Sequence, residues 1–342
     1  MNATSHALFS SPVSAPERLP LILDGTVCLD TALALCLALA HPRLELLGIG
    51  CSFGAISTLQ SCRNALALCS LAGRRVPVCE GVNTPLRKAP VHPDPAIDGQ
   101  DGLGNQPERL GADYGPDEHS AARFIVAQAL ARPGEVSVVV AGPLGNLCQA
   151  LRLEPRLPEL LRQVVVTGGT ILAPGNVSPV AEASIWYDPH AADQLLTSGF
   201  KLKLVGLDVA EQALWPLAAL ETLAAAQPHR LWSVLQHAAA FKARGSAPAK
   251  AEPSVRGTLP LLAPLGLLAL LAPEQLRWQR GRVRVATEGL AEGQTILDRR
   301  AELAYPQPGW EPRLPEIDVA LGMVGRAAPD LLTSALAADW LH

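Results

Sequence analysis

Aromatic residues are scarce in this chain of 342 residues, with Phe, Trp and Tyr making up 4%. The six tryptophans are scattered, so no platform for stacking the bases of a single strand is written into the sequence. Charge is scarce too: Asp, Glu, Lys and Arg total 18%, and the formal net charge is −4. No basic run occurs, which argues against a nucleic-acid partner or an anionic membrane surface. The seven cysteines, Cys28, Cys36, Cys51, Cys62, Cys69, Cys79 and Cys148, include no CxxC pair. That pattern excludes a cysteine zinc site and predicts buried free thiols in a reducing compartment. Residues 1–20 are rich in Ser, Ala and Pro and lack the basic-then-apolar order of a signal peptide. The longest apolar run, residues 259–273, is broken by Pro260, Pro264 and Gly266 and is too short to span a bilayer. The expectation is a cytoplasmic protein without a membrane partner.

Hydrophobic residues are plentiful at 49%, enough to bury a large core. They alternate between two patterns. Residues 19–24 (LPLILD), 44–51 (LELLGIGC), 76–79, 135–141 (EVSVVVA), 163–167 (QVVVT) and 201–207 read as strands. Residues 31–40, 58–72, 120–131 and 189–198 read as helices, the second stopped by Gly73. Near-continuous apolar strands alternating with helices predict an α/β fold with a mainly parallel sheet and helices on both faces. Residues 81–117, dense in Pro, Gly and Asp, read as a loop of a length that is functional or disordered. With no internal repeat and no linker, the chain reads as a flexible tail over residues 1–18 and one domain over 19–342. Ligands of such sheets bind beyond the carboxyl ends of the strands. Attention therefore falls on residues 24–31, 51–55, 142–146, 168–182 and 208.

Those segments resemble the inosine–uridine preferring nucleoside hydrolase family. Residues 44–50, 63–73 and 76–85 are similar to its early elements, and 101–104 (DGLG) to its glycine-rich loop. Residues 142–147 (GPLGNL) resemble its GPLTNL turn, and 168–188 (GGTILAPGNVSPVAEASIWYD) its GG…PGNVTP segment. Residues 264–276 and 288–298 resemble its C-terminal part. The resemblance implies a nucleoside hydrolase-like fold, a ribonucleoside or ribose-like ligand, and a homodimer or homotetramer.

It also implies calcium chemistry that this chain is poorly equipped to perform. In the family, the first strand ends in a DxDPGxDD cluster that holds one Ca²⁺ and activates a water. Ca²⁺ wants six to eight oxygen ligands, several of them anionic. Here the cluster reads Asp24-Gly25-Thr26-Val27-Cys28-Leu29-Asp30-Thr31. Thr26 replaces the aspartate that ligates metal and serves as proposed base, and Thr31 replaces another metal-binding aspartate. A late His-Asp-Pro, whose aspartate also binds metal, is Leu262-Ala263-Pro264 here. The threonine whose carbonyl ligates the ion is Gly145. The expected cofactor is therefore none, with Thr26, Thr31, Gly145 and Ala263 marking a degenerate metal site.

The ribose side is better kept. Asp30, Asn176 and Glu182 stand where the family hydrogen-bonds ribose hydroxyls, with Ser184 two positions on, while Asp98 falls near a family loop histidine. Asp24 and Asp30 are the residual catalytic candidates. Each residue also has a plain structural reading. Asp30 is placed to cap the helix that follows it, Asn176 sits in a turn sequence, and Glu182 in an apolar run needs a partner. Three functions remain open: a hydrolase scaffold that binds a ribosyl ligand or a protein partner without calcium catalysis, a metal-free nucleosidase using a carboxylate base, and an inert subunit.

Overall fold

The computed structural model describes residues 18–91, 94–246, 257–300 and 303–341. The tail expected over residues 1–18 lies outside this set except for Arg18. The strands are β1 (Leu19–Gly25), β2 (Leu44–Cys51), β3 (Val78–Glu80), β4 (Ser137–Ala141), β5 (Gln163–Thr167) and β6 (Leu202–Val205). They continue with β7 (Leu214–Pro216), β8 (Thr258–Pro260), β9 (Leu276–Val285), β10 (Thr295–Asp298) and β11 (Glu316–Met323). The helices are α1 (Leu29–Ala40), α2 (Thr58–Leu71), α3 (Pro95–Asp98), α4 (Ala121–Ala131), α5 (Gly145–Leu153), α6 (Leu157–Leu160) and α7 (Ala183–Tyr187). After them come α8 (Pro189–Leu196), α9 (Leu207–Ala210), α10 (Leu217–Ala226), α11 (Arg230–Ser246), α12 (Ala263–Leu271) and α13 (Ala327–Leu336).

Nine strands form one sheet in the order β10-β9-β11-β6-β5-β4-β1-β2-β3. From β11 to β3 neighbouring strands run parallel, while β9 and β10 join antiparallel at one edge. This is the mainly parallel sheet that the alternating pattern predicts. The antiparallel edge was not legible, because β9 carries Arg277, Arg280, Arg282 and Arg284 and lacks an apolar run. The short pair β7–β8 stands apart.

Successive side chains of a strand point to opposite faces, and the core divides accordingly. Leu21, Leu23, Val139 and Val165 pack with α1, α2, α11, α12 and α13 on one face. Ile22, Val138, Val140, Val164 and Val166 pack with α4, α5 and α8 on the other. All seven cysteines are buried free thiols.

One contact positions the site. Gly266 lets α12 lie directly on the sheet: a Cβ there would come within 2.6 Å of Thr167 Cγ2 and 2.7 Å of Val139 Cγ1. The start of α12 is thereby brought to the first turn of α1. Among the described residues of 81–117, the loop contains only the short α3.

Candidate functional site

β1 delivers Asp24 to the end of the sheet, fully buried. Asp24 Oδ1 accepts a hydrogen bond from Asn146 Nδ2 at 2.8 Å. Oδ2 has no partner among the described residues. Burial raises the carboxyl to about 7, and the Asn146 amide partly opposes the shift. Asn146 is held in turn, accepting from Val82 N at 2.7 Å. Sequence reasoning singled out the segment 142–146 that ends on this asparagine but gave the side chain no role.

The loop after β1 is pinned from α2. Ser61 Oγ accepts from Val27 N at 2.9 Å, and Asn64 Nδ2 donates to Val27 O at 2.9 Å and Asp101 O at 2.7 Å. Thr26 is buried, and its hydroxyl donates to Phe53 O at 2.7 Å. Thr31 is buried within α1.

Asp30 corrects the sequence reading. It does not cap α1; that helix starts at Leu29 with Cys28 at its N-cap, and Asp30 lies inside the first turn. Its carboxylate reaches across to α12. Oδ1 accepts from Leu262 N at 3.2 Å and Oδ2 from Ala263 N at 2.6 Å. Burial raises Asp30 to about 6, against the pull of those amides and of Lys242.

Beyond β5, Glu182 is buried and gathers the start of α7. Oε2 accepts from Gly169 N at 2.9 Å and from Ser184 N at 3.0 Å, and Oε1 accepts from Ser184 Oγ at 3.1 Å. Burial raises its pKa. Asn176 Oδ1 accepts from Ala183 N at 2.9 Å, so its side chain ties the turn to α7.

The glycine-rich loop closes the other side. Asp101 folds it by accepting from Leu103 N, Asn105 N and Gln106 N at 2.7–2.8 Å. Asp98, at the end of α3, pairs with Lys242 of α11, Nζ to Oδ1 being 2.7 Å. Tyr187 links the two halves electrostatically. Burial, with Cys28, Asp98 and Glu182 nearby, raises its hydroxyl to about 12. Asp30 and Ala263 thus meet across α1 and α12, Thr26 N donates to Ala141 O at the end of β4, and Asn146, next to Gly145, holds Asp24 at the end of β1. Asn176, Glu182 and Ser184 lie together after β5, tied through the amides of Ala183 and Ser184. Lys242, Ser61 and Asn64 lie outside the segments that the sequence singled out, and Asn146 lies inside one without having been given a role.

A nine-stranded α/β sheet with its polar cluster beyond the strands' carboxyl ends defines the class of open, mainly parallel proteins that bind small ligands at that place. Residues 21–325 match the model of the inosine-uridine preferring nucleoside hydrolase family, and the chain belongs to that family. It is 32% identical over 303 residues to a probable uridine nucleosidase 1 of Oryza sativa subsp. japonica, covering 86% of this chain and 91% of that one. It is 32% identical over 312 residues to uridine nucleosidase 1 of Arabidopsis thaliana, covering 85% and 86%. Among solved structures it is similar to a plant nucleoside hydrolase, PpNRh1, at 30% identity and a TM-score of 0.86, covering 94% and 99% of the two chains. It is also similar to a purine-preferring ribonucleoside hydrolase from Gardnerella vaginalis, at 27% identity and a TM-score of 0.83, covering 93% and 98%. No helix among the described residues is long and apolar enough to cross a membrane.

Proposed function

We propose that this chain is a nucleoside hydrolase family protein that binds a ribonucleoside without calcium, and that calcium-dependent hydrolysis has been lost. The observation that carries this reading is the state of the donors. Both Asp30 oxygens are taken by the amides of Leu262 and Ala263, while the Thr26 hydroxyl donates to a backbone carbonyl. Asp24 is the nearby carboxylate with a free oxygen, and its surroundings favour the protonated form. Ca²⁺ needs six to eight oxygens with several negative charges. Two threonines, an alanine, a glycine carbonyl and a near-neutral Asp24 do not fit it. Among the described residues no cluster of three or more His, Cys, Asp or Glu is arranged to hold a metal ion.

The names of the plant relatives favour uridine as the ligand to try, and the resemblance of the Asn176, Glu182 and Ser184 positions to the family's ribose side supports a ribosyl group. Isothermal titration tests both halves. Uridine is expected to bind with or without a chelator, and millimolar calcium is expected to give no saturable heat. Saturable calcium binding would overturn the metal half, and no uridine binding the ligand half.

A second reading rests on Asp24. A carboxyl raised to about 7 with one free oxygen has the pKa of a general base working near neutrality. In that reading the chain is a slow nucleosidase that needs no metal, and Asp24 takes the proton of the attacking water. Release of uracil abolished by Asp24→Asn, with a pH profile centred near 7, would support it. Unchanged release would end it.

A further inference from the structure

A site with no divalent ion still has to balance its negative charge. Asp30, Asp98 and Asp101 all act on Cys28 at the start of α1, and the cation acting on Asp30 is Lys242. We propose that the Lys242 ammonium is the resident cation of this cleft. It stands in the charge balance where a divalent ion would stand, and it offers its unspent N–H groups to oxygen atoms of a bound ribonucleoside. This rests on the calcium-independent reading above.

The placement of Lys242 is built, not incidental. Residues 99–106 are wedged between the start of α1 and the middle of α11. Gly102 and Gly104 both hold left-handed φ, +75° and +79°. A Cβ on Gly102 would lie 2.9 Å from Cys28 Sγ, and one on Gly104 would lie 2.8 Å from Phe241 Cβ. His237 Nε2 lies 2.9 Å from Gly104 O, and Gln106 Nε2 donates to Val234 O at 3.0 Å. Lys242 follows Phe241 directly, so the same wedge that seats α11 carries the ammonium to the Cys28–Asp30 end of α1.

Asp98 fixes the ammonium there. The Lys242 and Asp98 side chains are only 23% and 12% exposed, and 2.7 Å separates Nζ from Oδ1. An ammonium has three N–H donors. Among the described residues Asp98 is the acceptor Lys242 uses, which leaves two donors for a ligand. Burial alone would discharge a lysine, but Asp98 and Asp30 outweigh it, and the net shift is upward. The group is thus a permanent positive charge at the mouth of the cleft. A calcium ion placed beside it would meet like-charge repulsion, strongest where water is excluded.

The competing account makes Lys242–Asp98 a plain tie between α3 and α11. A buried pair of that kind is replaceable by apolar residues at little cost in stability. The test uses the full chain and two probes, uridine and calcium. Uridine affinity, by titration calorimetry, should fall at least tenfold in Lys242→Met and in the double variant Lys242→Met/Asp98→Leu. Lys242→Arg should recover most of it. The double variant should melt near the wild-type temperature, which separates loss of binding from loss of fold. A double variant that folds and binds uridine like wild type overturns the proposal.

The calcium arm stands by itself should wild type fail to bind uridine, an outcome that sinks the ribonucleoside reading alone. Calcium binding is compared in Thr26→Asp/Thr31→Asp/Ala263→Asp with and without Lys242→Met. Removing the lysine should raise calcium affinity at least tenfold. Equal affinity in the two backgrounds, or none in either, overturns the charge assignment.

Discussion

Asp30, in the first turn of α1, holds the start of α12 through the amides of Leu262 and Ala263, at 3.2 and 2.6 Å. One carboxylate therefore joins segments 233 residues apart in sequence. Removing it strands two amide donors at a helix N-terminus. Asp30→Ala is expected to cost about 1–3 kcal/mol, the range for a lost cap and for buried donors left unpaired. Urea denaturation reads this directly. A loss within experimental error would mean that water replaces the carboxylate at no cost.

Asn146 clamps Asp24 from the opposite side, and it also receives the amide of Val82. Its Nδ2 donates to Cys51 O as well, at 3.2 Å, so Asn146→Ala removes a bond from three partners and a destabilisation of about 1–3 kcal/mol is expected. The loss should be larger at pH 8 than at pH 5. The amide stabilises the charged form of Asp24, which is populated only toward the alkaline side of a pKa near 7. An equal loss at the two pH values would remove Asp24 from the account.

The raised carboxyls set the sign of the pH dependence of stability. Asp24 moves from 3.8 to about 7 and Asp30 from 3.8 to about 6. Between those values the native chain binds more protons than the unfolded one. Their contribution is fully present below 3.8 and is lost as pH rises through 6 and 7. Each proton contributes a slope of at most about 1.4 kcal/mol per pH unit. Asp24→Asn should flatten the decline between pH 4 and 7. Denaturation curves over that window decide the matter, and a variant slope as steep as wild type would contradict it.

Turnover should be weak. Loss of general-base assistance at the Thr26 position alone is worth roughly 10²–10⁴-fold. Hydrolysis of uridine or inosine is therefore expected to be at least about a thousandfold slower than by a metal-bearing relative, and indifferent to chelators. Free base released from each nucleoside, quantified by chromatography with and without EDTA, gives the answer. Turnover near ~1–10 s⁻¹, the ordinary enzyme range, would refute the prediction. Its loss on adding EDTA would restore calcium to the mechanism.

Much of the architecture could be read in the residues. Runs such as VSVVVA and QVVVT, short and β-branched between helical segments, read as buried parallel strands, and the segments after them carried the family resemblance. The antiparallel edge escaped because β9 spends its length on arginines paired to Asp298, Asp193 and Glu316, a pattern without hydrophobic periodicity. At the site, the candidate residues were legible but their partners were not. Nothing local distinguishes an aspartate that caps its own helix from one that caps another helix more than two hundred residues away. Lys242 was invisible for a similar reason. A lysine in an amphipathic helix is ordinarily a solvated surface charge, and only the packing of the glycine-rich loop under α11 brings it indoors.

The sheet ends in short strands, β3 with three residues and β10 with four, while β9 between β10 and β11 has ten. Unpaired backbone at a sheet edge is what templates accretion of further strands. Here β10 covers only Arg282–Val285 of β9, and β3 only Ile49–Cys51 of β2, so each margin steps back onto a longer strand. The outermost strands themselves are too short to recruit a further strand, and any extension of the sheet would have to start on the uncovered parts of β9 and β2.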